Sequence, residues 1–319
     1  MANIVLGLGS SHGPTIRTPP DRWHTLAEKD MEDPRYSYEA LMATARPGLE
    51  QEVTPEKMQE RYEACQRGVI AVQQVLADAA VDVYVVISNP HGVPPLNKMY
   101  PVFGVYLSDE DSTIARTGHQ SGGRRGDRPH EDAPGVDDFP TDHRLADQLM
   151  DGLVADGFDV ACAFQSRSGA GVEGPFTYLY DVFLPDRSVP IVPFVISRYL
   201  PNQPTPARAY AFGQAMRRAI EGWKSDARVG IMASGGLSHQ ILDEDLDHEV
   251  IGALQTNDVE ILTSLPRDRL NRAPGTAEIL NWVALAGAMG HVPMTLVDYV
   301  PCYRSRAGTG HGVTFAYWR

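Results

Sequence analysis

Cysteine is scarce: Cys65, Cys162 and Cys302 are all that 319 residues contain. Three sulfurs this far apart in sequence make neither a Cys-x-x-Cys metal site nor a disulfide framework, so a chain kept reduced in the cytoplasm is expected. Long apolar runs are missing too. No stretch approaches the roughly 18 uncharged apolar residues of a membrane span. No basic segment precedes the short apolar run in MANIVLGLGSSHGP, which reads as a first strand rather than a signal peptide. Positive charge is in deficit, with 28 Lys and Arg against 41 Asp and Glu and a formal charge of −13. That balance argues against a nucleic-acid partner, which needs a basic face. It leaves room for a small anion gripped by a few local arginines inside a cleft. Gly7-Leu8-Gly9 lacks the third glycine and the helix of a dinucleotide loop. SGGLSHQ lacks the Gly-x-Ser-x-Gly order of a nucleophile elbow.

What is present is an ordinary globular composition, 43% hydrophobic and 22% charged, which excludes disorder as the dominant state. At about 150 residues per domain two domains are permitted. No composition shift marks a linker, however, and nothing repeats at a period of about 20 to 50 residues. One catalytic domain over residues 1–319 is expected, with 15–53 and 108–140 as loop-rich excursions.

Strand and helix patterns alternate, which predicts an α/β fold: a central mixed or parallel sheet with helices on both faces. Residues 4–8 form an apolar run that breaks at SSHGP. Residues 15–53 are polar and weakly periodic, with one short helix at most. Thr54-Pro55-Glu56 opens a helix with an N-cap, a first-turn proline and an acid. Met58, Tyr62, Cys65, Val69, Val72 and Leu76 then mark one face to about residue 80. Residues 81–88 (VDVYVVIS) read as a strand ending in Asn89-Pro90-His91-Gly92. Thr141 is expected to cap a helix to about residue 156, with Leu145, Leu149 and Leu153 on one face. Strands follow over 159–164, 188–196 and 229–233, a helix runs from Thr205-Pro206 to about residue 223, and two or three helices fill 246–291. A last strand covers 295–300.

Three strands thus run into a glycine-containing turn that carries a histidine: His12 in SSHGP, His91 in SNPHG and His239 in SGGLSH. Open α/β sheets bind ligands outside the carboxyl ends of their strands, so the three are candidates for one site. Two imidazoles and one carboxylate make the facial triad that holds non-haem Fe(II) and leaves positions open. Spacing alone does not select the acid from the 41 available.

SSHGP, SGGLSHQ (234–240), GTAEILNWVALAGAMG (275–290) and PCYRSRAGTGHGVTFAYW (301–318) resemble, in order and over nearly the whole chain, the class III extradiol ring-cleavage dioxygenases. This is the family of the protocatechuate 4,5-dioxygenase β subunit. The resemblance implies His12, His91 and Glu278 as ligands of Fe(II), and His239 as the acid–base residue, with Ser238 and Gln240 orienting it. It implies a catecholic substrate of the protocatechuate or gallate type, opened with O2 and without an organic cofactor. It also implies a homo-oligomer, with a small partner subunit in some members. Arg198, Tyr303, Arg304 and Glu173 are candidates for substrate binding. Two departures stand out. Pro90 occupies the place where the family more often has an Asp before its ligand histidine. Residues 165–176 (QSRSGAGVEGPF) contain no histidine where many members carry one, and Glu173, His119, His130 and His311 are substitutes by type. A metal enzyme of the same scaffold with another phenolic or heterocyclic substrate, or a non-catalytic metal-poor member, is the alternative.

Overall fold

The computed structural model describes residues 1–89, 91, 101–107, 113–115, 138–164, 172 and 174–319. Glu173, His119, His130 and most of residues 108–140 and 165–171 lie outside these, so the sequence readings there are not placed.

The strands are β1 (Asn3–Ser10), β2 (Val83–Ser88), β3 (Phe103–Leu107), β4 (Thr113–Ala115), β5 (Asp138–Pro140), β6 (Val160–Phe164), β7 (Ile191–Ile196), β8 (Arg228–Ser234), β9 (His239–Ile241), β10 (Thr295–Tyr303) and β11 (Thr309–Trp318). One mixed sheet runs β10-β11-β1-β8-β2-β7-β3-β6, with β9 added to β11, while β4 and β5 form a separate antiparallel ribbon. The centre, β1-β8-β2-β7, is parallel. The fold class is α/β, as the alternation predicts.

The helices are α1 (Trp23–Met31), α2 (Tyr38–Thr44), α3 (Leu49–Glu52), α4 (Pro55–Ala79), α5 (His143–Ala155), α6 (Gly174–Tyr178), α7 (Pro206–Glu221), α8 (Glu244–Thr256), α9 (Val259–Ser264), α10 (Arg267–Leu270) and α11 (Ile279–Met289). They cover both faces of the sheet. Strand β2 shows why: Val83, Val85 and Ile87 join one core and Tyr84 and Val86 the other. A strand with side chains alternating between two apolar layers reads as a continuous hydrophobic run. On one side α5, α7 and α11 pack; on the other lies α4, with Cys65, Val69, Val72 and Leu76 buried. Thr54 caps α4 by accepting from the Lys57 amide at 3.2 Å.

Several expectations need correction. Residues 15–53 hold three helices rather than one at most, because a few anchors, Thr15, Ile16, Trp23, Asp30 and Leu49, are buried against the body while the others are exposed or half-buried. So sparse a pattern carries no readable period. Asp142, not Thr141, caps α5, its carboxylate accepting from the Leu145 amide at 3.0 Å. The last strand extends to Tyr303 and turns back into β11, which the glycine-rich 308–312 segment disguised. Cys65 of α4 and Cys302 of β10, 237 positions apart, meet as buried thiols 3.7 Å apart. Among the described residues no helix is long and apolar enough to cross a membrane.

Candidate metal centre and cavity

The four parallel strands end along one edge, and each delivers a polar group there. β1 runs out to His12, β2 through Asn89 to His91, β7 to Arg198, and β8 through a turn to His239. That turn reverses tightly, with Gly235 and Gly236 at φ +105° and +77°, a conformation glycine adopts without penalty. The fifth group, Glu278, comes from outside the sheet, on the 3-10 turn Thr276–Glu278 that opens α11. α11 is buried throughout, and Gly213 and Gly287 let it approach α7 backbone to backbone. A Cβ at either position would stand within 1.8 Å or 2.1 Å of the opposing carbonyl oxygen.

His12 Nε2 lies 3.0 Å from His91 Nε2 and 3.4 Å from Glu278 Oε2, and His91 Nε2 lies 3.5 Å from Glu278 Oε1. The protonation state of His12 follows from its other nitrogen. Ser234 Oγ donates to the Pro175 carbonyl at 2.6 Å, so it accepts from His12 Nδ1–H at 3.1 Å. The Nε2 lone pair is thereby left facing His91 and Glu278. Burial, opposed by Glu278, pushes the His12 imidazole down to about 3, so it is neutral near pH 7. Burial by itself would raise Glu278. The His239 imidazole, first, and His12 outweigh it and hold the carboxyl well below its usual range. Glu278 Oε2 accepts from the Gly236 amide at 3.2 Å. Glu278 Oε1 is buried and has no hydrogen-bond partner among the described residues. A buried, ionised oxygen left unsatisfied costs a few kcal/mol, and a cation between it and the ring nitrogens of His12 and His91 removes that cost. His12, His91 and Glu278 therefore fit a divalent metal by donor type and by geometry, their ligand atoms all lying within 4.8 Å of one another.

Nothing in the sequence said what replaces the missing acid before His91. The structure supplies Tyr199, whose hydroxyl donates to the His91 carbonyl at 3.3 Å, and Asn89, which donates to the Ile196 carbonyl and accepts from Asn281. The strand exit is thus tied to β7 and α11. Arg272 faces Asp243 at 3.6 Å, and it is Arg198 that approaches Glu278, at 3.8 Å.

These groups open into a cavity of about 530 Å³ lined also by Arg17, Lys29, Arg35, Tyr178, Arg304 and His311. His239 Nδ1 donates to the Leu237 carbonyl at 3.2 Å, which leaves Nε2 pointing inward, 3.4 Å from Glu278 Oε1. Arg198 lines the cavity and is buried. Arg304 lines it too but is spent on a bidentate pair with Asp30 at 2.9 Å. Tyr303 does not line it; its hydroxyl bonds Glu244 and accepts from Arg46. Glu173 lies outside the described residues. The sequence missed Arg17, Lys29 and Arg35, whose only signal is polarity in the 15–53 excursion. That excursion forms one wall of the cavity.

Sequence reasoning also missed Asp247. Buried in α8, it accepts from the Ser238 amide at 2.8 Å, the Ser238 hydroxyl at 2.7 Å and the Tyr299 hydroxyl at 2.8 Å, and so fixes the residue before His239. Burial, against those hydrogen bonds, raises its carboxyl from 3.8 to about 6. The folded state therefore holds this proton more tightly than the unfolded chain, and stability falls as pH rises from 3.8 to about 6. Relative to Asp247→Asn, the wild type should lose up to roughly 3 kcal/mol of unfolding free energy between about pH 4 and pH 7, at about 1.4 kcal/mol per pKa unit. Urea unfolding at the two pH values reads this, and a pH-independent difference between the two proteins would contradict it.

The chain aligns with a gallate dioxygenase of Pseudomonas putida at 32% identity over 156 residues, 46% of this chain and 45% of that protein. It thus spans about half the length of the curated relative it matches. A crystal structure of an uncharacterized Escherichia coli K12 protein superimposes with a TM-score of 0.47 at 13% identity, covering 98% of this chain and 99% of that chain. The family model described as the catalytic LigB subunit of aromatic ring-opening dioxygenase matches residues 40–310, which include His91, His239 and Glu278, and the chain belongs to that family.

Proposed function

We propose that the protein is an Fe(II)-dependent extradiol dioxygenase that opens the ring of a catechol bearing a carboxylate, of the protocatechuate or gallate class. The observation that carries the reading is Glu278 Oε1, buried, without a hydrogen-bond partner among the described residues and facing two imidazole nitrogens. Two imidazoles and one carboxylate suit Fe(II) and leave coordination positions open on one face. His12, His91 and Glu278 would hold Fe(II), which would supply the Lewis acidity that acidifies a catechol and a path for the diol's electrons to dioxygen.

The chain's own groups do the rest. Ser234 keeps His12 in the tautomer that binds through Nε2. His239 Nε2, the inward nitrogen, takes the phenolic proton and returns it to the opening product. Tyr178 and Pro175 wall the cavity and keep water from the reacting face. With Arg304 paired to Asp30 and Arg35 to Asp33, the cations Arg17, Lys29 and Arg198 remain in the lining, so an anionic substrate is favoured within an acidic protein. Arg198, packed between the Pro274 carbonyl and Tyr199, is the buried cation aimed at the ring's carboxylate.

Oxygen uptake by protein reconstituted anaerobically with Fe(II), read across catechol, protocatechuate and gallate, tests the reading. Uptake is expected to require both Fe(II) and one of the carboxylated diols. Silence across the panel with stoichiometric iron bound would overturn it. Arg198→Met should lower kcat/KM for the carboxylated diol by about 10- to 100-fold, the worth of one charge-assisted hydrogen-bond pair, and affect unsubstituted catechol much less. Equal losses on both would remove Arg198 from carboxylate binding.

A further inference from the structure

We propose that His311 is a positioning residue for His239: its ring, stacked face to face on the acid–base imidazole, fixes the direction in which His239 Nε2 points. The reaction named is the one proposed above, on which this inference rests; the placement itself stands on geometry alone.

His239 and His311 are directly opposite each other where β9 pairs with β11, so both side chains rise from one face of the ladder. Their rings are nearly parallel, 9° apart with centroids 4.7 Å from each other, whereas His12 and His91 meet at 57°. Each ring is tethered to a successive carbonyl of one turn. His239 Nδ1 donates to Leu237 O and His311 Nε2 to Gly236 O, both at 3.2 Å. Two residues without side chains press on the pair. A Cβ at Gly13 would stand 2.1 Å from His311 Nδ1, and one at Gly275 would stand 1.9 Å from His239 Nε2. Gly13 follows His12, and Gly275 precedes Glu278 by three positions. The two-ring stack therefore fills the space between the loops that carry two of the candidate ligands.

The charge state suits the role. His311 is 3% exposed, and burial, first, with His239 beside it, holds its imidazole well below the usual range. A neutral ring can lie against a protonated one, where a second cation at this distance would repel it. His311 is thus held at one edge, cannot shift toward Gly13, and leaves His239 a single orientation. Misplacing a reacting group by about 1 Å costs on the order of a hundredfold in rate, so a support of this kind has catalytic consequence without touching substrate.

The test compares wild type, His311→Ala and His311→Phe as full chains reconstituted with Fe(II). Phenylalanine keeps a ring in the stack. It orphans no carbonyl, because Ser11 Oγ also donates to Gly236 O. His311→Ala is expected to lower kcat about tenfold or more while KM stays within about twofold and iron content is unchanged, and His311→Phe to restore most of kcat. The second readout needs no metal and no substrate. In NMR spectra of the metal-free protein, the His239 ring protons should be shifted upfield by the neighbouring ring, a shift that Phe keeps and Ala abolishes. Equal loss of kcat in both variants, unchanged kcat in the alanine variant, or unshifted His239 signals in wild type would overturn the proposal. Should the alanine variant not fold, the wild-type signals and the phenylalanine variant decide it. A wild type that opens no diol defeats the dioxygenase reading instead, and the ring-current comparison still judges His311.

Discussion

Glu278→Gln is expected to empty the centre of its metal while leaving the fold in place. Glutamine matches the shape of glutamate, and its amide oxygen can still accept from the Gly236 amide, the bond that anchors Oε2. What it loses is the negative charge, and it turns an N–H2 group, in the place of Oε1, toward the imidazole nitrogens of His91 and His239. Loss of a charged ligand from a three-ligand set should weaken metal affinity by about 100-fold or more and reduce turnover in proportion. Metal-free stability should fall as well. The imidazoles of His239 and His12 hold the Glu278 carboxyl well below its usual range, so they favour its charge by more than burial costs, and Arg198 lies 3.8 Å away. Removing one partner of such a buried set is destabilising, and the metal-free variant should therefore melt below metal-free wild type. Metal analysis after dialysis, alongside thermal unfolding, separates the two effects. A variant that keeps its metal would show that Glu278 is not a ligand.

His239→Ala should give the opposite pattern, with metal retained and turnover lost. Its Nε2 faces the centre from 3.4 Å, but its ring comes from the turn after β8 and is held by Leu237 and His311 rather than by the triad. Removing a positioned acid–base group typically costs about 10²- to 10⁴-fold in rate. The loss should fall on kcat, with iron content equal to wild type. If iron falls with activity, His239 belongs among the ligands, and His12, His91 and Glu278 do not form the complete set.

Much of this was legible in the chain itself. The β-branched run before His91, the SGG turn before His239 and the Thr-Pro helix starts of α4 and α7 carry local signals that survive folding, because each rests on backbone preference or on a pattern of burial. A parallel sheet adds a rule of its own. Strands that run together end together, so three histidines at strand exits point to one edge. The 15–53 excursion behaved differently. Its helices are held by a few anchors such as Trp23, and its cations reach the cavity through the path of the chain, for which polarity is no guide. Tyr303 and Arg304 sit side by side in sequence yet part company. One is taken up by Glu244 and Arg46, the other by Asp30, because Tyr303 is the last residue of β10 and Arg304 already belongs to the turn into β11.

The sequence by itself determined the α/β alternation, the strand-end histidines and, through its motifs, the carboxylate that joins them. It did so because periodicity, capping and turn chemistry are local. Only the tertiary structure decided which partner each site group has: Ser234 on His12, Tyr199 and Asn281 at the exit to His91, Asp247 beneath Ser238, and His311 against His239. Cys65 and Cys302 make the same point in the core. Such pairings join elements far apart in the chain, and they are set by how a nine-stranded sheet and its two helical layers close around a shared edge.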